Sequence, residues 1–138
     1  MRPNLTRIAL FAPLMVLAAP ALAEEAKGEA ELTELLEGRV AGEPVKCLNG
    51  SRRNAAQIID GTAFVFRDGA TLYVNRPEGA RILNWNDLPV FRLFSGSLCA
   101  RDQVELRDRS SLFPGPVLLL GEFVPYRRAG EARPSEGG

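Results

Sequence analysis

The sequence predicts a mainly β chain, a small antiparallel β-barrel or sandwich with one short N-terminal α-helix. Three observations carry that prediction. Residues 58–75, IIDGTAFVFRDGATLYVN, set two runs rich in β-branched and aromatic residues on either side of Arg67-Asp68-Gly69, which is a hairpin composition rather than a helical one. More short apolar runs follow at close spacing, and residues 103–107 alternate cleanly, with Val104 and Leu106 inward and Glu105 and Arg107 outward. Only residues 29–38 carry a helical period. Several strands with a single helix make one β-rich domain.

The first 23 residues read as a leader. Arg2 and Arg7 precede an uncharged apolar run at 8–22 that ends in Ala21-Leu22-Ala23, the small-x-small form that signal peptidase accepts, so cleavage is expected before Glu24. The run is short for a membrane span and is broken by Pro13 and Pro20, so no transmembrane anchor is expected after cleavage. The expected product is a soluble periplasmic or secreted protein. Its parts would be a flexible start at 24–28, one domain at 29–127 and a disordered tail at 128–138, where Gly, Ala, Arg, Glu, Pro and Ser replace any apolar period.

Within 29–38, Leu32, Leu35 and Leu36 stand at i, i+3 and i+4 with acids opposite and Gly38 as the C-cap candidate, so a narrow leucine stripe should lie on the sheet. Residues 45–48 are expected to form a strand carrying Cys47 inward. The next loop exposes Arg52 and Arg53. Asp60-Gly61 forms a bend or bulge into the hairpin. A three-residue loop at Arg67-Asp68-Gly69 would pair Phe66 with Ala70, Phe64 with Leu72 and Thr62 with Val74. That register gathers Phe64, Phe66, Leu72 and Val74 on one face, and a one-residue slip would turn every side chain over. The second face, with Ala63, Val65, Thr71 and Tyr73, is half apolar and calls for partial cover.

Beyond the hairpin, Arg76-Pro77-Glu78-Gly79 is a turn. The only Trp, Trp85, is expected to cover a core edge. Residues 90–94 form a strand entered through Pro89, and residues 98–102 are expected to form one helical turn bearing Cys99. Residues 110–116 read as a loop. The apolar run 117–123, VLLLGEF, is expected to be the most buried strand.

Composition excludes several functions. Removing Arg2 and Arg7 from 17 basic residues leaves 15 against 17 acids, a net charge of −2, so nothing draws the chain to nucleic acid. With no His, and no second Cys within metal-motif spacing, no metal or other cofactor is indicated. Two cysteines in an exported chain are expected to pair, and closing a loop of about fifty residues stabilises by ~4 kcal/mol in the chain-entropy model.

For chemistry, the candidate acids are Asp60 and Asp102, with Asp87 and Glu105 behind them. Asp60 and Asp102 also read as turn formers that cap backbone N–H groups. No G-x-S-x-G elbow, phosphate-cradling Gly loop or EF-hand loop is present. For binding, Arg supplies 15 of the 17 basic residues. Arg52, Arg53, Arg76 and Arg101, gathered by the Cys47–Cys99 bridge beside Tyr73 and Trp85, could face an anionic ligand or partner. Two functions remain: a non-catalytic module binding a periplasmic protein or envelope component, or a small carboxylate-dependent hydrolase using Asp60 or Asp102.

The series Cys47, Ile59-Asp60, the strand to Phe66, Tyr73-Val74-Asn75, Leu98-Cys99 with Asp102, and Leu120-Gly121-Glu122-Phe123-Val124-Pro125-Tyr126 resembles a family of small exported proteobacterial proteins of unknown function. The likeness spans residues 45–126. It implies an exported, compact, disulfide-bonded domain and supplies no activity. Many members carry a second cysteine pair, one after the hairpin and one in the last strand. Residues 76–83 and 117–121 have none here, which implies reliance on a single bridge.

Overall fold

The computed structural model describes residues 20–49 and 56–131. Arg52, Arg53 and most of the expected tail lie outside the described residues. The chain runs α1 (Pro20–Leu35), β1 (Arg39–Ala41), β2 (Cys47–Leu48), β3 (Ala56–Ile59), β4 (Ala63–Asp68), β5 (Thr71–Asn75), a 3-10 turn (Ala80–Ile82), β6 (Asp87–Arg92), β7 (Leu98–Cys99), β8 (Gln103–Asp108), β9 (Pro114–Leu119) and β10 (Phe123–Arg128). All strand pairs are antiparallel. One sheet has the order β1-β10-β5-β4-β3, a second β6-β8-β9, and β2 pairs with β7 as a two-stranded clip. The sheets pack as a sandwich and do not close into a barrel.

The expected hairpin is present but its register differs. Phe66 pairs with Tyr73, Val65 with Val74 and Asp68 with Thr71, leaving Gly69-Ala70 as a two-residue loop. Gly69 has φ 55° while Ala70 stays out of the positive region, the pattern of a loop that needs Gly first. One face therefore holds Phe64, Phe66, Tyr73 and Asn75, and the other Ala63, Val65, Leu72 and Val74. The hydrophobic match misassigned the register because it assumed one buried face, whereas this hairpin is covered on both.

Between the two sheets, Phe64, Phe66, Phe123, Val104, Leu106, Leu118 and Leu120 form the larger core, with Phe91 packed against it. Phe91 reaches Phe64 and Phe66 at ring separations of 5.8 and 5.7 Å, inside the range where edge and tilted contacts are favourable. On the far face, Leu32 joins Ile59, Ala63, Val65, Leu72 and Val74, flanked by Leu35, Leu36 and Tyr126. The predicted leucine stripe thus lies on the sheet. The helix begins at Pro20 rather than Glu29. Gly28 makes its approach possible: a Cβ there would stand 2.1 Å from the backbone oxygen of Asp60 and 2.1 Å from Thr62 Oγ1.

Burial is deepest in β4, not in the run 117–123. β9 is an edge strand that starts at Pro114, inside the expected loop, and Val117 is 52% exposed. The run also breaks at residues 120–122, where the chain passes from one sheet to the other. Buried Asn75 sets that corner. Its Nδ2 donates to the Gly121 oxygen at 2.7 Å, and its Oδ1 accepts from the Gly121 N–H at 3.1 Å.

The clip joins the layers. Val45 bridges to Phe123 at the start of β10, Cys47 stands opposite Cys99, and the two are disulfide-bonded across 52 residues. Residues 98–102 form this short strand and a turn rather than a helical turn. On the outer face of β8, Glu105 is buried beneath Arg92 and Arg107, whose nitrogens lie 2.7 and 3.0 Å from its oxygens. Those hydrogen bonds, Arg92 first, hold its carboxyl below the usual glutamate value.

Candidate functional site: a cleft between the helix and the turn joining β3 and β4

Helix α1 crosses the turn between β3 and β4, and the connector after β5 folds back against both. The turn is fixed from within and without. Thr62 Oγ1 donates to the Asp60 oxygen at 2.9 Å, and the Gly61 N–H, at φ 61°, donates to the Leu83 oxygen at 2.9 Å. Asp60 Oδ1 accepts the Trp85 N–H at 2.5 Å. Between these segments lie two adjoining cavities. One of about 420 Å3 is lined by Glu25, Glu29, Thr62, Arg76, Ala80 and Arg81 among others. The second, about 280 Å3, is lined by Glu24, Glu25, Asp60, Arg81, Leu83 and Asn84 among others. Glu25, Gly61 and Arg81 border both.

The electrostatics are those of opposed rows, helix acids against connector arginines. Arg76 makes a forked ion pair with Glu29, Nη1 to Oε1 and Nη2 to Oε2 at 2.9 Å. That hydrogen bonding holds the Glu29 carboxyl below its ordinary value and raises the Arg76 guanidinium. Arg81 carries no ion pair among the described residues. Beside the cleft, Asp87 is raised, chiefly by burial and further by repulsion from Asp108 and Asp60, against the hydrogen bond from the Asn84 N–H. No group of three His, Cys, Asp or Glu among the described residues could hold a metal ion.

The residues nominated from sequence fall in different places. Asp60 lines the smaller cavity with its carboxylate committed to Trp85. Asp102 is buried in the clip, where Oδ2 accepts the Cys99 N–H at 2.8 Å and its backbone oxygen accepts from Leu120. Arg101 sits in that turn at φ 72° and donates its N–H to the Leu120 oxygen at 2.8 Å. Arg76 is near it across Gly121, whose Cβ position would lie 2.6 Å from the Arg76 oxygen, but its guanidinium is turned to the helix. Tyr73 is buried in the larger core. Trp85 is 66% exposed and does not cover a core edge, because its backbone is pinned to Asp60 at the rim. The bridge does not gather the described arginines beside Tyr73 and Trp85.

Glu24, Glu25 and Arg81 were missed as site residues. Gly28 gave no signal of a close approach, because the helical period begins at residue 29 and Gly28 reads as part of the start before it; the helix contains it only in the structure. Comparisons with protein-family models, with curated proteins and with solved structures found no match.

Proposed function

We propose that this chain is an exported, periplasmic, non-catalytic module that binds an envelope component through the cleft bordered by α1, the turn at Asp60 and Arg81, and that it belongs with the small exported proteins it resembles. The observation that carries this reading is the fate of the carboxylates. Asp60 and Asp102 each accept a backbone N–H and hold different turns; Asp60 lies within range of Asp87 but commits its Oδ1 to the Trp85 N–H, and the two nominated acids do not share a site. Arg81, by contrast, borders both cavities and has no ion pair among the described residues. Two features support export: the leader-like first 23 residues and the Cys47–Cys99 bridge, which persists in oxidising compartments.

Affinity capture from an envelope extract tests it. The tagged chain should enrich a protein or glycan, and Arg81→Glu should abolish the enrichment while leaving the urea midpoint unchanged. Repeated capture that enriches nothing above control, or enrichment indifferent to Arg81→Glu, would sink the cleft as the binding site.

A further inference from the structure

The disulfide sits on the surface of the fold. Side chains alternate across the two short strands of the clip: Leu48 and Leu98, opposite each other, are 1 and 0% exposed, so the cysteines beside them point the other way. Cys47 is exposed and Cys99 half-buried, against the expectation that Cys47 points inward. A bend at residues 95–97 lies over Cys99. Ser95 Oγ donates to the Ser97 oxygen at 3.2 Å and accepts the Ser97 N–H at 3.4 Å, and the same oxygen stands 4.0 Å from Cys99 Sγ. On the other strand, residues 41–47 are all exposed.

Contacts other than the bridge hold the clip in shape. Val45 and Phe123 exchange two backbone hydrogen bonds at 2.8 and 2.9 Å, and the Ala100 N–H donates to the Lys46 oxygen at 2.7 Å. Asp102 Oδ2 accepts the Cys99 N–H at 2.8 Å, and Leu48 and Leu98 both belong to the larger core. These contacts keep residues 47 and 99 opposite each other whether or not their sulfurs are joined. A folded chain with its cysteines reduced therefore presents one open thiol with the second already in place beside it.

We propose that the bridge closes in the folded chain through Cys47, which is the attachment sulfur for a disulfide-bearing oxidant. The Cys47 thiolate attacks one sulfur of the oxidant; the oxidant's S–S bond breaks, and a mixed disulfide forms on Cys47. Cys99, giving its proton to solvent, then attacks Cys47 Sγ. The mixed bond breaks, the second oxidant sulfur leaves as a thiolate, and the Cys47–Cys99 bond forms, so two thiols are oxidised and one disulfide is reduced. Attack in the reverse sense enters at the same atom. A thiolate that strikes Cys47 Sγ expels Cys99, whose thiolate Ser95 Oγ can reach by redirecting its O–H from Ser97. Exposure decides the order of events. An oxidant reaches Cys47 without moving the chain, whereas it reaches Cys99 only if the 95–97 bend lifts. The half-buried sulfur suits the second, intramolecular step, which needs no room for a partner. The proposal makes no use of the cleft at Arg81.

Alkylation of the reduced chain tests it. The full chain is reduced with dithiothreitol, checked for native far-ultraviolet circular dichroism and given limiting iodoacetamide, and peptide masses then measure the label on each cysteine of the same molecules. Cys47 should be labelled at least about tenfold faster than Cys99, and the two rates should converge in denaturing urea, where the fold no longer separates them. Glutathione disulfide supplies the oxidation arm. Cys99→Ser should stop as a glutathione adduct on Cys47, while Cys47→Ser, with the same circular dichroism, should form its adduct about tenfold more slowly. Equal native rates, faster labelling of Cys99, loss of native dichroism on reduction alone, or adducts that form only in urea would each overturn the proposal. The alkylation needs no substitution, so a variant that fails to fold leaves its result decisive.

Discussion

Replacing Gly28 by Ala sets two effects of opposite sign against each other, and the structure decides between them. In an isolated helix the change is favourable by about 1 kcal/mol, because Ala loses less backbone entropy. Here the new methyl would stand 2.1 Å from the backbone oxygen of Asp60, where a carbon–oxygen contact needs roughly 3.3 Å. Thr62 Oγ1 could rotate away. The Asp60 carbonyl cannot, because its turn is held to Leu83 and Trp85. Helix α1 must therefore lift by about 1 Å, and a gap of that size forfeits a quarter to a half of the van der Waals attraction across it. The stripe of Leu32, Leu35 and Leu36 contributes roughly 5 kcal/mol by its burial, so about 1–2.5 kcal/mol is lost there, with further loss at the turn. The net expectation is a destabilisation of about 1–2 kcal/mol. Urea unfolding followed by Trp85 fluorescence and by far-ultraviolet circular dichroism measures it, as a midpoint lowered by about 1 M at an ordinary slope. Thr33→Ala, at an exposed position of the same helix, is the control and should be neutral or stabilising. If Gly28→Ala raises the midpoint as the control does, the close approach of helix and turn is wrong.

Three further outcomes follow from the same contacts. Cys47→Ser with Cys99→Ser opens a loop of 52 residues and should cost ~4 kcal/mol, lowering the thermal midpoint by about 15 °C or more in calorimetry; a fall of a few degrees would show that the clip constrains little. Asn75→Ala strands both backbone groups of Gly121 and should cost about 2–4 kcal/mol in the same urea assay, and a cost below about 1 kcal/mol would deny the amide its role at the corner between sheets. Hydrogen bonds from Ser110 Oγ, then Ser111 N and Oγ, hold the Asp108 carboxyl down to about 2 from an ordinary 3.8. A depressed carboxylate stabilises the fold above its unfolded value, and that contribution fades as pH falls from about 4 toward about 2. The urea midpoint should drop across that window, and Asp108→Asn should flatten the drop; an unchanged profile would mean that the loop leaves Asp108 free.

Much of the architecture was legible because it depends on local composition. The 58–75 run is β-branched and aromatic wherever it packs, Leu32, Leu35 and Leu36 share a helix face in any context, and two cysteines have one intramolecular pairing. The register of the hairpin was not legible. Both of its faces are buried, so Leu72 and Val74 can sit with Phe64 and Phe66 or with Val65 without exposing anything apolar, and the turn alone breaks the tie. The run 117–123 misled for a related reason. Its strand breaks at a corner clamped by Asn75, a side chain 46 residues away, and no local pattern at Gly121 announces that partner. The cleft was hidden likewise, since Glu25 belongs to α1 and Arg76 and Arg81 to the connector after β5, and they share a site only once Gly28 lets the helix down onto the turn.

By itself the sequence determined a β-rich domain with one amphipathic helix, a leader-like start and a single available disulfide, all of which follow from residue type and short-range period. Only the tertiary structure decided that the sheets stay open as a sandwich, that β4 rather than the Leu-rich run lies deepest, and that Cys47 faces outward beside buried Leu48. Those outcomes depend on which segments meet. Meeting is set by backbone hydrogen bonds, and by residues such as Asn75, through its amide, and Gly28, through its lack of a side chain, acting over long sequence separations that no local window contains.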